Sequence, residues 1–315
     1  MSGKPLISIV TPCYNEEENI KELYRRIKAA IVELESRYDF EIIVIDNHST
    51  DSTEAKLREI AAQDKTFKVI LNARNFGHIR SPYYGVLQSR GVATVYLASD
   101  LQDPPEMIPE FIRHWELGFK LVLAVKPSSE GNSAFHWLRR SYYQLLDSMS
   151  EVAIVKDATG FGLFDRVVLD HIRQIDDPYP FFRGLLAELG YPVKTITFVQ
   201  PRRMRGISKN NIYTLYDMAW LGMVGHSKVP LRIAAFVGFV IGGLSLFAAF
   251  AYLVMKLIFW NSFPLGIAPL VIGGFFLFGV QLIFISILGE YTGTILTYVQ
   301  RRPIVVEMKR INFDD

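Results

Sequence analysis

The feature that most constrains the fold is a run of 23 residues without a charged side chain, Ile233–Met255. As a helix this run would be about 34 Å long, which is enough to cross the hydrocarbon core of a bilayer. A second uncharged run, Pro269–Gly289, is interrupted only by Gln281 and Ser286. The sequence therefore predicts two transmembrane helices joined by a short loop around residues 260–264.

Basic residues flank both uncharged runs. They are Lys228 and Arg232 before the first run, and Arg301, Arg302, Lys309 and Arg310 after the second. By the positive-inside rule, both ends of this hairpin face the cytoplasm and the short loop lies outside. The N-terminal MSGKPLISIV lacks the long apolar core of a signal peptide, so we expect the first 200 residues to be cytoplasmic.

Buried-strand patterns alternate with amphipathic helical patterns over the first 125 residues. The predicted strands are Leu6–Val10, Glu41–Ile45, Phe67–Leu71, Val92–Leu97 and Leu121–Val125, and the predicted helices are Glu16–Leu34, Ser52–Ala62 and Ile79–Ser89. This alternation implies right-handed βαβ crossovers and a doubly wound, mostly parallel α/β sheet. No G-x-G-x-x-G follows the first strand, so a dinucleotide-binding Rossmann domain has little support.

Two bulk properties narrow the function. The formal net charge is only +2, which gives no electrostatic argument for a nucleic-acid partner. The one cysteine, Cys13, cannot form an intrachain disulfide, which fits a domain facing the cytoplasm.

Polar residues follow the predicted strands where a parallel sheet binds its ligands. Asp100, Gln102 and Asp103 offer hard oxygens within four residues, which suits Mg²⁺ or Mn²⁺ bridged to a diphosphate better than zinc. The alternative is a solvated turn before a helix that starts at Pro104. Residues 11–16 and 46–53 could hold the base and ribose of a nucleotide, although Asp51 and Ser52 could equally be helix N-caps.

Four segments in this order and spacing, TPCYNEEENI, VIDNHSTDST, RNFGH and SDLQDPPE, resemble the inverting GT-A glycosyltransferases of family two. Within that family the chain is most similar to the polyprenyl-phosphate glycosyltransferases, which include bactoprenol glucosyltransferases and dolichol-phosphate mannose synthase. The resemblance covers essentially the whole chain. It implies a GT-A fold, a nucleotide-sugar donor, a divalent metal (Mg²⁺ or Mn²⁺) and a lipid-phosphate acceptor.

The resemblance also assigns donor and metal residues. The donor-binding positions it implies are Pro12, Tyr14, Glu16, Asp46, Asp100 and Gln102, with Asp100 and Gln102 also serving as metal ligands. Ala98 stands where many relatives have the first aspartate of a DxD motif, so the two-carboxylate metal site is in doubt. Substrate oxygens and water would then complete the octahedron. Asn47 and His48 likewise replace the more usual Asp-Gly.

The catalytic and acceptor residues come from the same resemblance. Asp157 matches an aspartate that lies near the reacting carbon of the sugar in the family. Asp157 and Asp100 are therefore the two catalytic candidates. The alternative for Asp157 is an ordinary turn residue before Gly160. Arg203, Ser208 and Lys209 match an R-x-x-G-x-S-K segment and are expected to hold the acceptor phosphate. Some of these basic residues could instead only hold the domain to anionic lipid.

The predicted domains are a catalytic domain over 1–200, a basic segment and amphipathic helix over 201–230, a transmembrane hairpin over 231–300 and a cytoplasmic tail over 301–315. Apolar residues between Ile212 and Val224 recur at i, i+3 and i+4, which is typical of a helix in the membrane interface, with a soluble interdomain helix as the alternative. Glycines in both runs permit close helix packing, compatible with a homo-oligomer or with packing inside one chain.

The expected function is inverting transfer of one hexose, most readily from UDP-glucose, to a polyprenyl phosphate such as undecaprenyl phosphate. The expected location is the cytoplasmic face of a bacterial inner membrane. Two alternatives stay open. A processive polysaccharide synthase of the same fold normally carries Q-x-x-R-W, which this sequence lacks. A non-catalytic membrane scaffold is indicated only by Ala98.

Overall fold

A computed structural model describes residues 3–126, 155, 158–175, 177, 180–201, 229–259 and 267–313. The predicted residues Asp157, Arg203, Ser208 and Lys209 and the predicted interfacial helix lie outside these ranges.

The described strands are β1 (Leu6–Cys13), β2 (Asp39–Asp46), β3 (Phe67–Asn72), β4 (Ala93–Tyr96), β5 (Leu121–Val125), β6 (Ala158–Asp165), β7 (Val193–Thr197) and β8 (Glu307–Ile311). The described helices are α1 (Ile20–Ile31), α2 (Thr53–Gln63), α3 (Gly77–Leu87), α4 (Ile108–Glu116), α5 (Arg166–Ile175), α6 (Phe182–Glu188), α7 (Val229–Ile258) and α8 (Ile267–Gln300). Short 3₁₀ turns span Val32–Leu34 and Pro105–Met107.

All eight described strands form one sheet in the order β7-β5-β6-β4-β1-β2-β3-β8. The pairs β1–β2, β2–β3, β1–β4 and β5–β7 are parallel, as the alternating pattern predicts. The pairs β4–β6, β5–β6 and β3–β8 are antiparallel, so the sheet is mixed. Only β6 and β8 run against the other six described strands, and the sheet is therefore mostly parallel, as predicted. Strand β6 is absent from the predicted strands, because the glycines of ATGFGLFD interrupt its apolar pattern.

Apolar cores lie on both faces of the sheet, which confirms the doubly wound prediction. Helices α1, α2 and α4 cover one face, and α3, α5 and α6 cover the other. Alternate residues of β1 serve the two cores: Ile9 faces the first and Val10 the second. Gly85 allows α3 to approach the sheet, because a Cβ there would lie 2.9 Å from Ile45 Cγ2.

The C-terminal residues return to the sheet. The sequence predicts a cytoplasmic tail over 301–315, but β8 pairs antiparallel with β3 only six residues after α8 ends. The Asn312 side-chain amide donates hydrogen bonds to the carbonyls of Ala61, Asp64 and Phe67 at 2.6, 3.3 and 2.9 Å. The sheet therefore needs residues from beyond the two long apolar helices, and a catalytic domain cut at residue 200 would lose an edge strand.

We predict that Asn312→Asp destabilises the sheet. The substitution places a carboxylate against three carbonyl oxygens in place of an amide that donates to them. The expected loss is about 2 kcal/mol, which is roughly 4–8 °C in melting temperature for a domain of this size. Thermal unfolding of the full chain in detergent measures it. Lys309→Gln, at an exposed position of β8, is the control; equal melting temperatures for the two variants would contradict the prediction.

Helices α7 and α8 lie alongside each other in opposite directions. Gly238 of α7 lies against Phe284 of α8, where an added Cβ would be 3.8 Å from the ring. Large apolar side chains on both helices are exposed, including Phe239 at 81% and Phe247 at 72%. By length and composition, one segment within the described residues could cross a membrane, Phe276–Gln300. This segment overlaps the second predicted span, Pro269–Gly289. The first predicted span, Ile233–Met255, falls in α7, where the shorter apolar stretch Ala234–Leu244 is found.

Candidate active site

The strand order places a crevice between β1 and β4. The chain winds from β1 to β2 and β3 in one direction, whereas β4 lies on the other side of β1. Ligands of open α/β sheets bind outside the carboxyl ends of the strands at such a switch point. The loops after β1 and β4, which carry most of the predicted donor and metal residues, therefore flank one crevice.

Three residues in the loops of this edge have left-handed backbone conformations. Asn15 has φ 55°, His48 has φ 65° and Leu101 has φ 60°. A residue with a Cβ is disfavoured there by roughly 1 kcal/mol or more, and such strain concentrates at functional sites. Leu101 is the strongest case because it is a buried apolar residue with no side-chain polar group to compensate.

Side chains join the loops after β1 and β2 into one unit. The backbone N–H of Asn15 donates to Ser49 Oγ at 2.8 Å, and the side-chain Oδ1 of Asn15 accepts from the backbone N–H of Thr50 at 2.7 Å. Glu17 N donates to Asp51 Oδ2 at 3.3 Å, while Asp51 Oδ1 accepts from Thr53 N at 3.0 Å. Asp51 thus bonds to the first residue of α2 and also holds the β1 loop, whereas the N-cap position is Ser52, which makes no side-chain cap hydrogen bond.

Pro12 lies near the end of β1, and Tyr14 and Glu16 lie in the loop after it; all three are partly exposed. Glu16 Oε2 accepts from the Asn19 side chain at 2.6 Å, and Glu16 N donates to Thr53 Oγ1 at 2.9 Å. These contacts hold Glu16 between the N-terminal ends of α1 and α2. The structure therefore places three of the predicted donor residues together beside the crevice.

Asp46 ends β2 and is only 2% exposed. Its carboxylate accepts from Ser49 Oγ at 2.5 Å and from Ser49 N at 3.2 Å, and Cys13 Sγ lies 3.6 Å from Oδ1. Burial raises the pKa of Asp46, and these hydrogen bonds oppose the rise. The carboxylate organises its own loop, so the predicted base contact of Asp46 stays a prediction.

The loop after β4 is closed by its own carboxylates. Asp103 Oδ2 accepts from Ala98 N at 3.0 Å, and Asp100 Oδ1 accepts from Gln102 N at 3.1 Å. Asp103 is 5% exposed, and burial raises its pKa to about 6, with a smaller contribution from the charge of Asp100. Asp103 therefore joins the two ends of the loop, whereas Asp100 and Gln102 are partly exposed between them.

The metal-ligand prediction can be compared with this loop. Among the described residues, no group of three or more His, Cys, Asp or Glu side chains could hold a metal ion. The loop instead offers one carboxylate and one amide, which suits an octahedral ion that takes its other ligands from water and substrate phosphates. Asp100 and Gln102 fit Mg²⁺ or Mn²⁺ in this way and do not fit a structural zinc site.

Sequence reasoning missed the asparagines that support this edge. Asn15, Asn47, Asn72 and Asn75 all make side-chain hydrogen bonds within or between the loops after β1, β2 and β3. The available signal was the enrichment of Asn at the ends of three consecutive strands, since Asn both tolerates left-handed backbone and bonds to nearby backbone groups.

The glycosyl transferase family 2 model matches residues 8–173, which include the strands and loops that build the crevice. The chain belongs to glycosyltransferase family 2. A Shigella flexneri prophage-derived bactoprenol glucosyl transferase is 32% identical over 302 residues, covering 94% of this chain and 96% of that protein. A prophage bactoprenol glucosyl transferase homologue of Escherichia coli is 31% identical, covering 97% and 99%. An uncharacterised glycosyltransferase of Synechocystis is 32% identical, covering 95% and 93%.

These relatives confirm the resemblance to polyprenyl-phosphate glycosyltransferases drawn from the sequence motifs. As a family 2 glycosyltransferase, the chain is an enzyme of sugar transfer, and its crevice is the candidate active site. Of the predicted site residues, those of the β1, β2 and β4 loops come together at one edge of the sheet. Asp157 and the acceptor residues Arg203, Ser208 and Lys209 lie outside the described residues.

Proposed function

We propose that this enzyme transfers one hexose from a nucleotide sugar, UDP-glucose in the first instance, to a polyprenyl phosphate such as undecaprenyl phosphate. One observation carries the proposal. A glycosyltransferase crevice lined by carboxylate and amide groups occurs on the same chain as two long helices whose apolar side chains are exposed. An enzyme held at a bilayer by such helices meets lipid acceptors directly. The names of the Shigella and Escherichia coli relatives support the same acceptor class.

The proposed reaction forms a bond between an acceptor phosphate oxygen and the anomeric carbon as the bond from that carbon to the diphosphate breaks. Attack from the opposite face inverts the anomeric configuration, and the nucleoside diphosphate leaves. Asp100 and Gln102 would hold the divalent ion, which supplies positive charge to the departing diphosphate. Glu16 and Asp46 would hold the nucleoside, Asp157 would act beside the anomeric carbon, and Arg203, Ser208 and Lys209 would hold the acceptor phosphate.

The proposed location is a bacterial inner membrane with the catalytic domain in the cytoplasm. The basic residues outside the two uncharged runs favour the cytoplasm for both outer ends of the helix pair. Strand β7 precedes α7 and β8 follows α8, and both strands belong to one sheet. The sheet therefore lies on the side of the membrane to which both outer ends of the hairpin point. We also propose that the chain crosses the membrane twice, that a helix before α7 lies in the membrane interface, and that the protein can form a homo-oligomer.

Transfer to extracted lipid tests the proposal. The full chain in detergent is incubated with Mg²⁺ or Mn²⁺, undecaprenyl phosphate and a panel of labelled nucleotide sugars, and the lipid is then extracted. We expect label in the organic phase at one hexose per lipid, strongest with UDP-glucose. Undecaprenol, which lacks the phosphate, is the control acceptor and should take up no label.

The same assay separates the two alternatives. A processive synthase would give a polymer that grows with time and stays out of the organic phase. A membrane scaffold would transfer no label from any donor, with or without metal. Either result would overturn the proposed single transfer.

A further inference from the structure

A bidentate ion pair joins α1 to the segment that follows the candidate metal ligands. Arg26 Nε donates to Glu106 Oε1 at 2.7 Å, and Arg26 Nη2 donates to Glu106 Oε2 at 2.6 Å. Arg26 lies in α1, and Glu106 lies in the 3₁₀ turn Pro105–Met107, just beyond Asp103. Two parallel hydrogen bonds fix both the distance and the angle between a guanidinium and a carboxylate. The pair therefore fixes the position at which the chain leaves residues 98–103, which we call the metal loop.

Pairing along the helix does not account for the direction of the Arg26 side chain. Glu22 lies one turn before Arg26 on α1, at the i, i+4 spacing at which helical ion pairs usually form. Glu22 instead accepts from Arg25, whose Nε and Nη2 donate to its two oxygens at 2.7 Å each. The Arg26 side chain is 19% exposed, against 68% for Arg25. Arg26 thus reaches a partner 80 residues away in sequence, at the end of the metal loop, whereas Arg25 pairs within its own helix.

The chain between Glu106 and the metal loop is stiff. Pro104 and Pro105 have φ angles that are fixed by their rings. The backbone N–H of Met107 donates to the Pro104 carbonyl at 3.1 Å, which closes the turn around Glu106. A displacement of Glu106 is therefore passed on to Asp103, the residue that joins the two ends of the metal loop through Ala98 N.

The metal loop has a backbone conformation that its own sequence does not favour. Leu101 has φ 60° although it carries a Cβ, and its side chain is buried in the core covered by α1, α2 and α4. A residue in the left-handed region stays there only when the surrounding structure over-determines it. Asp100 and Gln102 are the neighbours of Leu101 in the chain, so the direction of their side chains depends on this conformation. The Arg26–Glu106 pair supplies one of the outside constraints that the loop needs.

We propose that Arg26 is a positioning residue that, through Glu106, holds the metal loop in the shape in which Asp100 and Gln102 bind a divalent ion. This inference rests on the proposed metal site. A partly exposed ion pair contributes little to the stability of a fold, so the main effect of this pair is on the geometry of the loop. Loosening it should weaken the metal's contribution to nucleotide binding. It should leave nucleotide binding without metal, and the melting temperature, nearly unchanged.

Arg26→Ala tests the proposal in the full chain in detergent. The Kd for UDP is measured by calorimetry in chelator and across a Mn²⁺ titration. We expect the Mn²⁺ concentration that gives half of the gain in UDP affinity to rise about tenfold, as happens when the surroundings of metal ligands are changed. The Kd for UDP in chelator should stay within about twofold of wild type, because the fold itself is intact. Hydrogen exchange should become faster at the amides of Ala98 and Gln102, which bond within the metal loop.

Arg25→Ala is the matched control. It removes a bidentate pair of the same kind from the same helix, but one whose partner is not attached to the metal loop. The Mn²⁺ titration of Arg25→Ala should match that of wild type. Glu106→Ala should reproduce the Arg26→Ala result, and the double variant should show no further loss, because both substitutions remove one and the same interaction.

Each outcome decides the inference. An unchanged Mn²⁺ titration in Arg26→Ala, or equal changes in Arg26→Ala and Arg25→Ala, would overturn the positioning role. Losses that multiply in the double variant would show that Arg26 and Glu106 act separately, and would overturn it as well. A Kd for UDP that rises as much in chelator as in Mn²⁺ would mean that the donor site is damaged generally and not through its metal.

Failure of the proposed metal site gives a different result. Wild-type protein whose affinity for UDP does not respond to Mn²⁺ would overturn that site, and the role of Arg26 with it. A response to Mn²⁺ that survives unchanged in Asp100→Asn would place the metal on other residues and would also overturn both.

Discussion

Replacing Asp100 by asparagine is expected to lower sugar transfer by roughly a hundredfold to a thousandfold at all practical Mg²⁺ or Mn²⁺ concentrations. Asparagine keeps an Oδ1 that can accept from Gln102 N, so the loop can retain its hydrogen bond. What it removes is the negative charge of the one carboxylate that we propose as a metal ligand. Transfer assays across a metal titration, with nucleotide binding in parallel, measure the loss.

Ala98→Asp is the control for the Asp100 experiment. Residue 98 takes part in closing the loop through its backbone amide, which donates to Asp103, so changing its side chain preserves that bond. We expect Ala98→Asp to be tolerated or to change the metal preference. Full activity of Asp100→Asn in excess chelator would show that Asp100 is not a metal ligand.

The second large effect concerns Asp157, whose role we predict from the sequence. A phosphate monoester has a second pKa near 6 and is mostly dianionic at neutral pH, so a lipid phosphate needs no general base before it attacks. We therefore expect Asp157 to position the donor or to stabilise positive charge on the sugar ring. Asp157→Asn should lose roughly tenfold to a hundredfold in transfer rate, and the loss should persist from about pH 6 to 8.5.

The pH profile distinguishes the two roles of Asp157. If the carboxylate removes a proton from a monoanionic phosphate, Asp157→Asn should approach wild-type turnover at the higher pH, where the acceptor is already deprotonated. Such recovery would make Asp157 a general base. Asp165→Asn would be unsuitable as a control, because Asp165 accepts from Trp115 Nε1 and Val167 N inside the fold.

Buried and exposed environments explain why two nearby aspartates of one loop have different roles. Asp103 is buried and bonded to Ala98 N, and burial raises its pKa to about 6. Asp100 is partly exposed at the edge of the sheet. Spacing alone makes both equally good metal ligands. Only the folded loop shows that one carboxylate closes the loop while the other lies at the crevice.

The sequence by itself determined the central fold and the position of the crevice. Strands β1, β2, β3 and β5 lie within three residues of their predicted bounds, because apolar runs that are buried on both faces have few other places in a fold. The polar segments after β1, β2 and β4 then met at one edge, since parallel strands place their carboxyl ends together. The local sequence pattern was sufficient to predict a strand wherever the strand's partner was near in sequence.

Tertiary structure alone decided what distant segments contribute. Strand β8 carries mostly charged and polar residues, and its pairing with β3 depends on backbone hydrogen bonds that no local pattern encodes. The Asn47 and Asn72 contacts likewise join residues 25 positions apart through a geometry visible only once β2 and β3 are aligned. The sequence determined which residues could form a donor site, and long-range pairing decided which of them are partly exposed at the carboxyl ends of the strands and which are buried in hydrogen bonds within the loops.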